Sequence, residues 1–346
     1  MLYVTTRIHA DAFTVYHALT ENRGPGGGLY LPMRLHACSE KQIASLGEKT
    51  FGQNVADVMN LLFNTRLSGT EVELFIGRHP VKLVGLGNKV HIAQLWRNPN
   101  SKFEWLEQNL AKAVLNTEKP AMVSDWMRIG IRIGMLFGIY GEMVRCGILK
   151  TGEELDVAAP SGDFAAVMAA FYAGKLGLPI GTIVVSCNEN NGLWSLFHLG
   201  EVKTSAPVQQ TKLPKCDHGL PVGLERLIFS TLGAEQTEFF LHSCTLGGNY
   251  RLSDFQMRRL SEGFYVSVVS QHRTEKMISG IYGSSGYIPD PYTTLAWCGL
   301  MDYRVGKGES GPGLILAEES PLWEPEMVCK SLGITMGELK ERIDRS

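Results

Sequence analysis

The stretch from residue 155 to residue 186 constrains the fold most. Residues 155–158 form an apolar strand pattern, Pro160-Ser161-Gly162-Asp163 a turn, residues 164–176 a helix of small side chains, and residues 182–185 a β-branched strand. Strand, turn, helix and strand in this order make a βαβ unit. Its right-handed crossover carries two parallel strands and leaves the turn at the carboxyl edge of a sheet, where ligands of open α/β sheets bind. Ser161, Gly162 and Asp163 are therefore candidate ligand-binding residues.

The flanking segments extend the same pattern. Residues 2–5 have a strand signal, and Gly24, Gly26, Gly27 and Gly28 mark a tight turn before residues 29–32. Apolar spacing predicts helices over 54–63, 105–115 and 131–144, and extended segments over 72–76, 81–84, 239–244 and 314–317. The glycine-rich run 279–287 is expected to be a flexible loop, and 202–220 is the least structured segment. His242 and Cys244, two apart on the predicted strand, are expected to be a structural pair rather than a base and nucleophile.

Length and composition narrow the function classes. A chain of 346 residues is long enough for one large or two modest domains, and 44% hydrophobic with 20% charged residues is ordinary for a globular protein. The net charge of −2 gives no global field toward nucleic acid or an anionic membrane. The seven cysteines are scattered without a CxxC pair, which suggests neither a metal site nor a disulfide framework. The first residues lack a basic segment followed by an apolar run, and the apolar stretch 129–140 is too short to span a bilayer and contains Arg132. A cytoplasmic location is the default expectation.

Six motifs, in order along the chain, are similar to those of the threonine synthase family. They are Tyr3-Val4-Thr5-Thr6-Arg7, Pro25-Gly26-Gly27-Gly28-Leu29-Tyr30-Leu31-Pro32, Ala159-Pro160-Ser161-Gly162-Asp163-Phe164 with Tyr172-Ala173-Gly174-Lys175-Leu176-Gly177-Leu178-Pro179-Ile180, Asn188-Glu189-Asn190, Leu224-Glu225-Arg226-Leu227-Ile228-Phe229, and Asp290-Pro291-Tyr292-Thr293-Thr294. The resemblance implies an α/β fold with a parallel-rich sheet, of the threonine synthase and tryptophan synthase β type, built to hold pyridoxal phosphate (PLP). It implies an N-terminal α/β portion over 1–115 and a large α/β domain over 116–346.

The departures from the family pattern bear on function. The Schiff-base lysine of the family corresponds to Glu104, within Leu95-Trp96-Arg97-Asn98-Pro99-Asn100-Ser101-Lys102-Phe103-Glu104. A carboxylate cannot condense with an aldehyde. Lys102 is two positions away, either a surface lysine or a substitute amine. Asp163 stands in the phosphate loop, where it would oppose a phosphate about 4 Å away by roughly 4 kcal/mol per pair of charges at an effective dielectric near 20; alternatively it caps the following helix. Glu318 falls at the position that meets the pyridine nitrogen, and Trp323 at a substrate-side lysine, although Glu318 and Glu319 could equally belong to a solvated loop. Ser124 and Arg132 match a substrate-binding serine and arginine. Only residues 105–123 lie between Glu104 and Ser124, where the family carries a small mobile domain, so that domain is expected to be deleted.

These readings leave three functions open. The first is a threonine-synthase-like pseudoenzyme without cofactor, acting as a non-catalytic partner subunit or small-molecule-binding protein. The second is an enzyme reusing the cleft without PLP on an amino acid or phosphorylated small molecule, with Glu104, Asp163 and Glu318 as candidate catalytic residues. The third is a PLP-dependent lyase using Lys102. Ser124, Arg132, Ser161, Gly162, Asp163, Asn188 and Glu189 are the candidate ligand-binding residues. An oligomer, with itself or another chain, is expected because the all-round apolar helix 131–144 would be uncovered by the lost domain.

Overall fold

The computed structural model describes residues 1–7, 11–120, 122–308 and 311–345. The chain opens with a three-stranded antiparallel sheet in the order β2-β1-β3, formed by β1 (Leu2–Thr5), β2 (Phe13–Thr14) and β3 (Tyr30–Pro32), with α1 (Val15–Thr20) between the last two. Three helices follow: α2 (Glu40–Ala44), α3 (Phe51–Phe63) and α4 (Gly69–Ile76). Each starts at a Ser or Thr whose side chain accepts the amide three residues on, while a Gln or Glu there reaches back to the cap amide. Such reciprocal caps satisfy two orphan donors at once. That chemistry makes residues 72–76 helical where an extended segment is expected: Ser68 and Glu71 start the turn, and Val72 and Ile76 are buried four residues apart.

The main sheet has six strands in the order β10-β7-β6-β11-β5-β4. Strands β4 (Lys82–Gly87) and β5 (Val90–Gln94) form an antiparallel hairpin, followed by α5 (Phe103–Leu115) and α6 (Asp125–Arg145). Then β6 (Leu155–Pro160), α7 (Phe164–Lys175) and β7 (Ile180–Cys187) form the expected βαβ unit with parallel pairing. After α8 (Gly192–Leu199), the small ribbon of β8 (Glu201–Lys203) and β9 (Asn249–Arg251) encloses α9 (Leu224–Leu232) and α10 (Ala234–Leu246). The chain continues through α11 (Asp254–Ser261), β10 (Phe264–Val268), α12 (Gln271–Ser285) and α13 (Pro291–Lys307) to β11 (Gly313–Ala317), then α14 (Pro325–Leu332) and α15 (Met336–Arg345). Strand β11 inserts between β5 and β6, parallel to both, so one sheet takes strands from either side of residue 115. Only β4 runs antiparallel, at one edge.

Side chains alternate across this sheet with a period of two. Ala93, Val157, Ala159, Ile183, Val185, Leu314 and Leu316 face one core, shared with α3, α5, α6 and α7. Val90, Ile92, Ala158, Val184, Ile315 and Ala317 face another, shared with α12, α13, α14 and α15. Burial of both faces explains why the strands are apolar throughout.

Three further expectations are corrected. Residues 239–244 lie in α10, not a strand; the Ser243 and Thr245 hydroxyls donate to carbonyls four residues back, and only Phe240 of the Phe239–Phe240 pair is buried. His242 and Cys244 are exposed on that helix. Residues 279–285 belong to α12, because Thr274, Ile278 and Ile281 bury one helical face and Gly286, at φ 73°, supplies the left-handed cap. The helix expected to be uncovered, α6, is buried along almost its whole length within the chain, wedged between α3 and α7. It is apolar all round because it is central, and this removes the surface argument for an oligomer. Among the described residues no helix is long and apolar enough to cross a membrane.

Candidate functional site

The carboxyl ends of β6 and β11, the start of α5 and the amino-terminal turns of α6 surround a cleft of about 230 Å³. Its size is below the roughly 300–1,000 Å³ usual for small-molecule pockets. Lys102, Glu104, Arg132, Gly162, Asp163 and Glu318, all candidate residues from sequence, line it together. Lining side chains not anticipated as functional include Glu107, Arg128, Lys215, Asp290, Tyr292 and Glu319.

Arg132 organises the interior. Its side chain is only 8% exposed and donates through Nε and Nη2 to both Glu318 oxygens, at 2.8 and 2.6 Å. It also pairs with Glu107, one helical turn into α5 from the cleft mouth, while Asp163 Oδ1 lies 3.7 Å away and the Phe103 ring packs on its guanidinium. Planar, two-pronged pairing of this kind suits a buried guanidinium. Burial pulls the Arg132 guanidinium down, but Glu318, Glu107 and Asp163 outweigh it and hold it above its ordinary range. Burial pushes the Glu318 carboxyl well up; Arg132 pulls against this, and the adjacent Asp163 adds to the rise.

The remaining charges are placed by loops. Lys102 is the residue before α5 and forms an antiparallel bridge with Glu319; its Nζ lies 3.0 Å from the centre of the Trp323 ring. Lys215 pairs with Glu319; burial lowers its ammonium, but Glu319 more than offsets this. Asp290 caps α13 through Tyr292 N and Thr293 N, and burial raises its carboxyl from the usual 3.8 to about 6 against those hydrogen bonds. Six acids (Glu104, Glu107, Asp163, Asp290, Glu318, Glu319) therefore face four basic side chains (Lys102, Arg128, Arg132, Lys215), and the buried Arg132 and the half-exposed Lys215 are engaged by acids of the chain itself.

Other candidates lie elsewhere. Ser124 caps α6, accepting from Met127 N and donating to Ala18 O at 2.6 Å. Ser161 is buried behind Gly162, its hydroxyl meeting the Cys187 and Cys216 sulfurs, and borders a separate depression with His218 and Arg226. Asn188 donates to Thr211 Oγ1 and Asp217 Oδ1, and Glu189 accepts from Gln271 N, so both brace loops away from the cleft.

The positions to which the resemblance assigns PLP do not fit it as they stand. Glu104, which the resemblance puts in place of the amine, is an exposed carboxylate, and Glu318 is already tied to Arg132. In the phosphate loop, Ser161 N and Asp163 N donate to Ser186 O and Pro160 O, the Gly162 amide meets the Cys216 sulfur, and Asp163 Oδ1 accepts from Ala166 N. A Cβ at Gly162 would lie 2.6 Å from Lys215 O, so the 214–216 segment packs directly on the loop. Between Glu104 and Ser124 the described residues form the rest of α5 and a short connection.

No family model matches the chain. It is 27% identical over 176 residues to human threonine synthase-like 1, covering 50% of this chain and 24% of that protein. It is 26% identical over 164 residues to threonine synthase of Saccharomyces cerevisiae (43% of this chain, 32% of that one) and 26% over 216 residues to that of Methylobacillus glycogenes (60% and 44%). The matched stretches thus span about a quarter to under half of these relatives. Among solved structures, PLP-bound threonine synthase from Brucella melitensis superposes with a TM-score of 0.82 at 17% identity, over 96% of this chain and 92% of that one. Yeast threonine synthase gives 0.82 at 17%, over 99% and 94%. The chain is thus similar in sequence, over part of its length, to threonine synthases and threonine synthase-like proteins, and its mixed, mostly parallel central sheet has the fold of the solved threonine synthases.

Proposed function

We propose that this chain is a threonine-synthase-like binding protein whose cleft has left PLP chemistry and takes a small ligand bearing an ammonium group. The observation that carries this is the double hydrogen bond from Arg132 to Glu318, at the position where the resemblance puts the partner of the pyridine nitrogen. Even with Glu318 protonated, five other acids face four cations, so the cleft favours a cation over a phosphate dianion. Glu319, whose Oε2 is buried without a hydrogen-bond partner, is the natural acceptor for an ammonium, reached when the half-exposed Lys215 swings out. Titration of the purified protein with PLP tests the loss of cofactor: no visible imine band is expected.

A second reading rests on one specific observation, that Lys102 lines the same cleft as Asp163 and Glu318. It is the only lysine there besides Lys215, and in a PLP-dependent lyase-like enzyme it would supply the amine. An imine band that disappears in Lys102→Ala, with the fold intact by circular dichroism, would establish this reading and overturn the first.

A further inference from the structure

Residues 209–217, in the connection between β8 and α9, form a strap fastened at both ends. The Asp217 carboxylate accepts from the side-chain amides of Asn188 and Asn190, at 2.7 and 3.2 Å, and from Thr211 N at 2.7 Å. Asn190 also exchanges two hydrogen bonds with the Gln209 backbone. Between these fastenings Leu213 and Cys216 are fully buried on either side of Pro214 and Lys215. Asn188 and Asn190 thus act on the cleft without lining it: they fix the backbone of the strap.

What the strap delivers is Lys215. Its carbonyl packs on Gly162, and its N–H donates to the Tyr292 hydroxyl at 3.4 Å. Its ammonium lies 5.5 Å from the centre of the Tyr292 ring and pairs with Glu319. The side chain is 46% exposed although its backbone is clamped, so the head can leave its seat without disturbing the anchor. The seat also offers more than the lysine uses. Glu319 Oε2 and Glu324 Oε2 are buried without a hydrogen-bond partner, and burial and the nearby Glu319 push the Glu324 carboxyl up. Neutralising Glu319 is the plain structural role of Lys215. That role accounts neither for a firm anchor beneath a half-exposed head nor for the acceptors left over.

We infer that Lys215 is a built-in stand-in for the ligand of the cleft, and that this ligand is an unbranched primary alkylammonium that enters by displacing it. The inference rests on the ammonium reading of the cleft given above. A primary ammonium has three donors. One replaces the Lys215 bond to Glu319 and another meets the free Oε2, while the alkyl stem follows the path of the lysine stem past the Tyr292 ring. A tethered competitor of this kind sets a threshold. A lysine seated about 90% of the time raises the apparent dissociation constant about tenfold, so the cleft stays closed to dilute ligand and fills once the ligand outcompetes the tether.

Titration with n-butylammonium chloride, followed by saturation-transfer NMR of its methylene protons against sodium chloride of equal ionic strength, tests this. Lys215→Ala is expected to bind n-butylammonium about tenfold more tightly than the parent, and the double variant Lys215→Ala/Glu319→Gln to lose that binding. Tetramethylammonium, which has the charge but no N–H donor, should bind Lys215→Ala about tenfold more weakly than n-butylammonium does. Lys212→Ala, on the same strap but paired with Glu275 outside the cleft, should bind like the parent. Circular dichroism and melting establish that each variant is folded. In the parent itself, the Lys215 Cε resonance should move to the position of a solvated lysine as n-butylammonium is added, a readout that needs no variant. Equal affinity of the parent and Lys215→Ala, lost from both with Glu319→Gln, overturns the inference and leaves the ammonium reading of the cleft standing. The inference also fails if tetramethylammonium binds as tightly, or if the double variant keeps the affinity. Absence of binding to the parent and Lys215→Ala alike overturns both.

Discussion

At the scale of single residues, the cleft is held together by charges that cannot be removed one at a time. Arg132→Met would leave Glu107, Glu318 and Asp163 facing one another without a cation, and breaking such a buried set costs about 3–5 kcal/mol; urea denaturation of the variant should show a loss of that size. Little change would mean the carboxylates simply pick up protons. Asp290 gives a prediction in pH. Its folded-state carboxyl titrates near 6 rather than 3.8, so the native state holds its proton longer than the unfolded chain does. The associated stability is complete below about pH 4 and is lost as pH rises through 6, about 3 kcal/mol in all. The stability of the parent minus that of Asp290→Asn should therefore fall by about that amount between pH 4 and pH 7. Parallel curves would sink the assignment. Of this site, Asp163, Arg132 and Glu318 could be found in the sequence, but only because the surrounding motifs resemble a known family. Glu107 and Lys215 carry no local signal: their partners stand 25 and 104 residues away, and only the tertiary fold brings them together.

At the scale of elements, α3 and α6 owe their close approach to glycine. On α6, Gly130, Gly134 and Gly138 form a groove four residues apart, into which Phe63, Met59 and Phe51 of α3 insert. A Cβ at Gly130 would come within 2.3 Å of the Phe63 ring, and one at Gly134 within 2.5 Å of the Met59 methyl. The two sites should nonetheless respond differently. Gly130→Ala pushes on a buried ring that has nowhere to go and should lose about 2 kcal/mol, whereas Gly134→Ala meets the end of a flexible thioether and gains about 1 kcal/mol of helix propensity, leaving it near neutral. Equal melting temperatures for the two variants would refute the distinction. Elements with a sustained period, such as α3, α5, α6, β6 and β7, were legible in the sequence because one or both faces are buried. Those misread were short or glycine-bearing: residues 72–76 are too few to separate a period of two from one of 3.6, and Gly280 and Gly283 of α12 look like loop residues until the buried face of that helix is seen.

At the scale of the whole molecule, the two cores lie on either face of the sheet, and β11 is within it, between β6 and β5. Strands β5 and β6 both pair with β11 and not with each other, so without it the sheet falls into the β4–β5 hairpin and the β6–β7–β10 trio. A chain ending at Pro312 should therefore show no cooperative thermal transition, whereas one ending at Gly333, which keeps β11 and loses α15, should retain one at reduced stability. A cooperative transition in the shorter chain would show that the halves fold separately. The order of the strands also sets a timetable for synthesis. A ribosome makes β4, β5, β6, β7 and β10 before the strand that joins them, and during that interval the facing edges of β5 and β6 stand open to any passing strand. Because the joining strand is made after the other five, the cell must keep two sticky half-sheets apart until residues 313–317 have emerged.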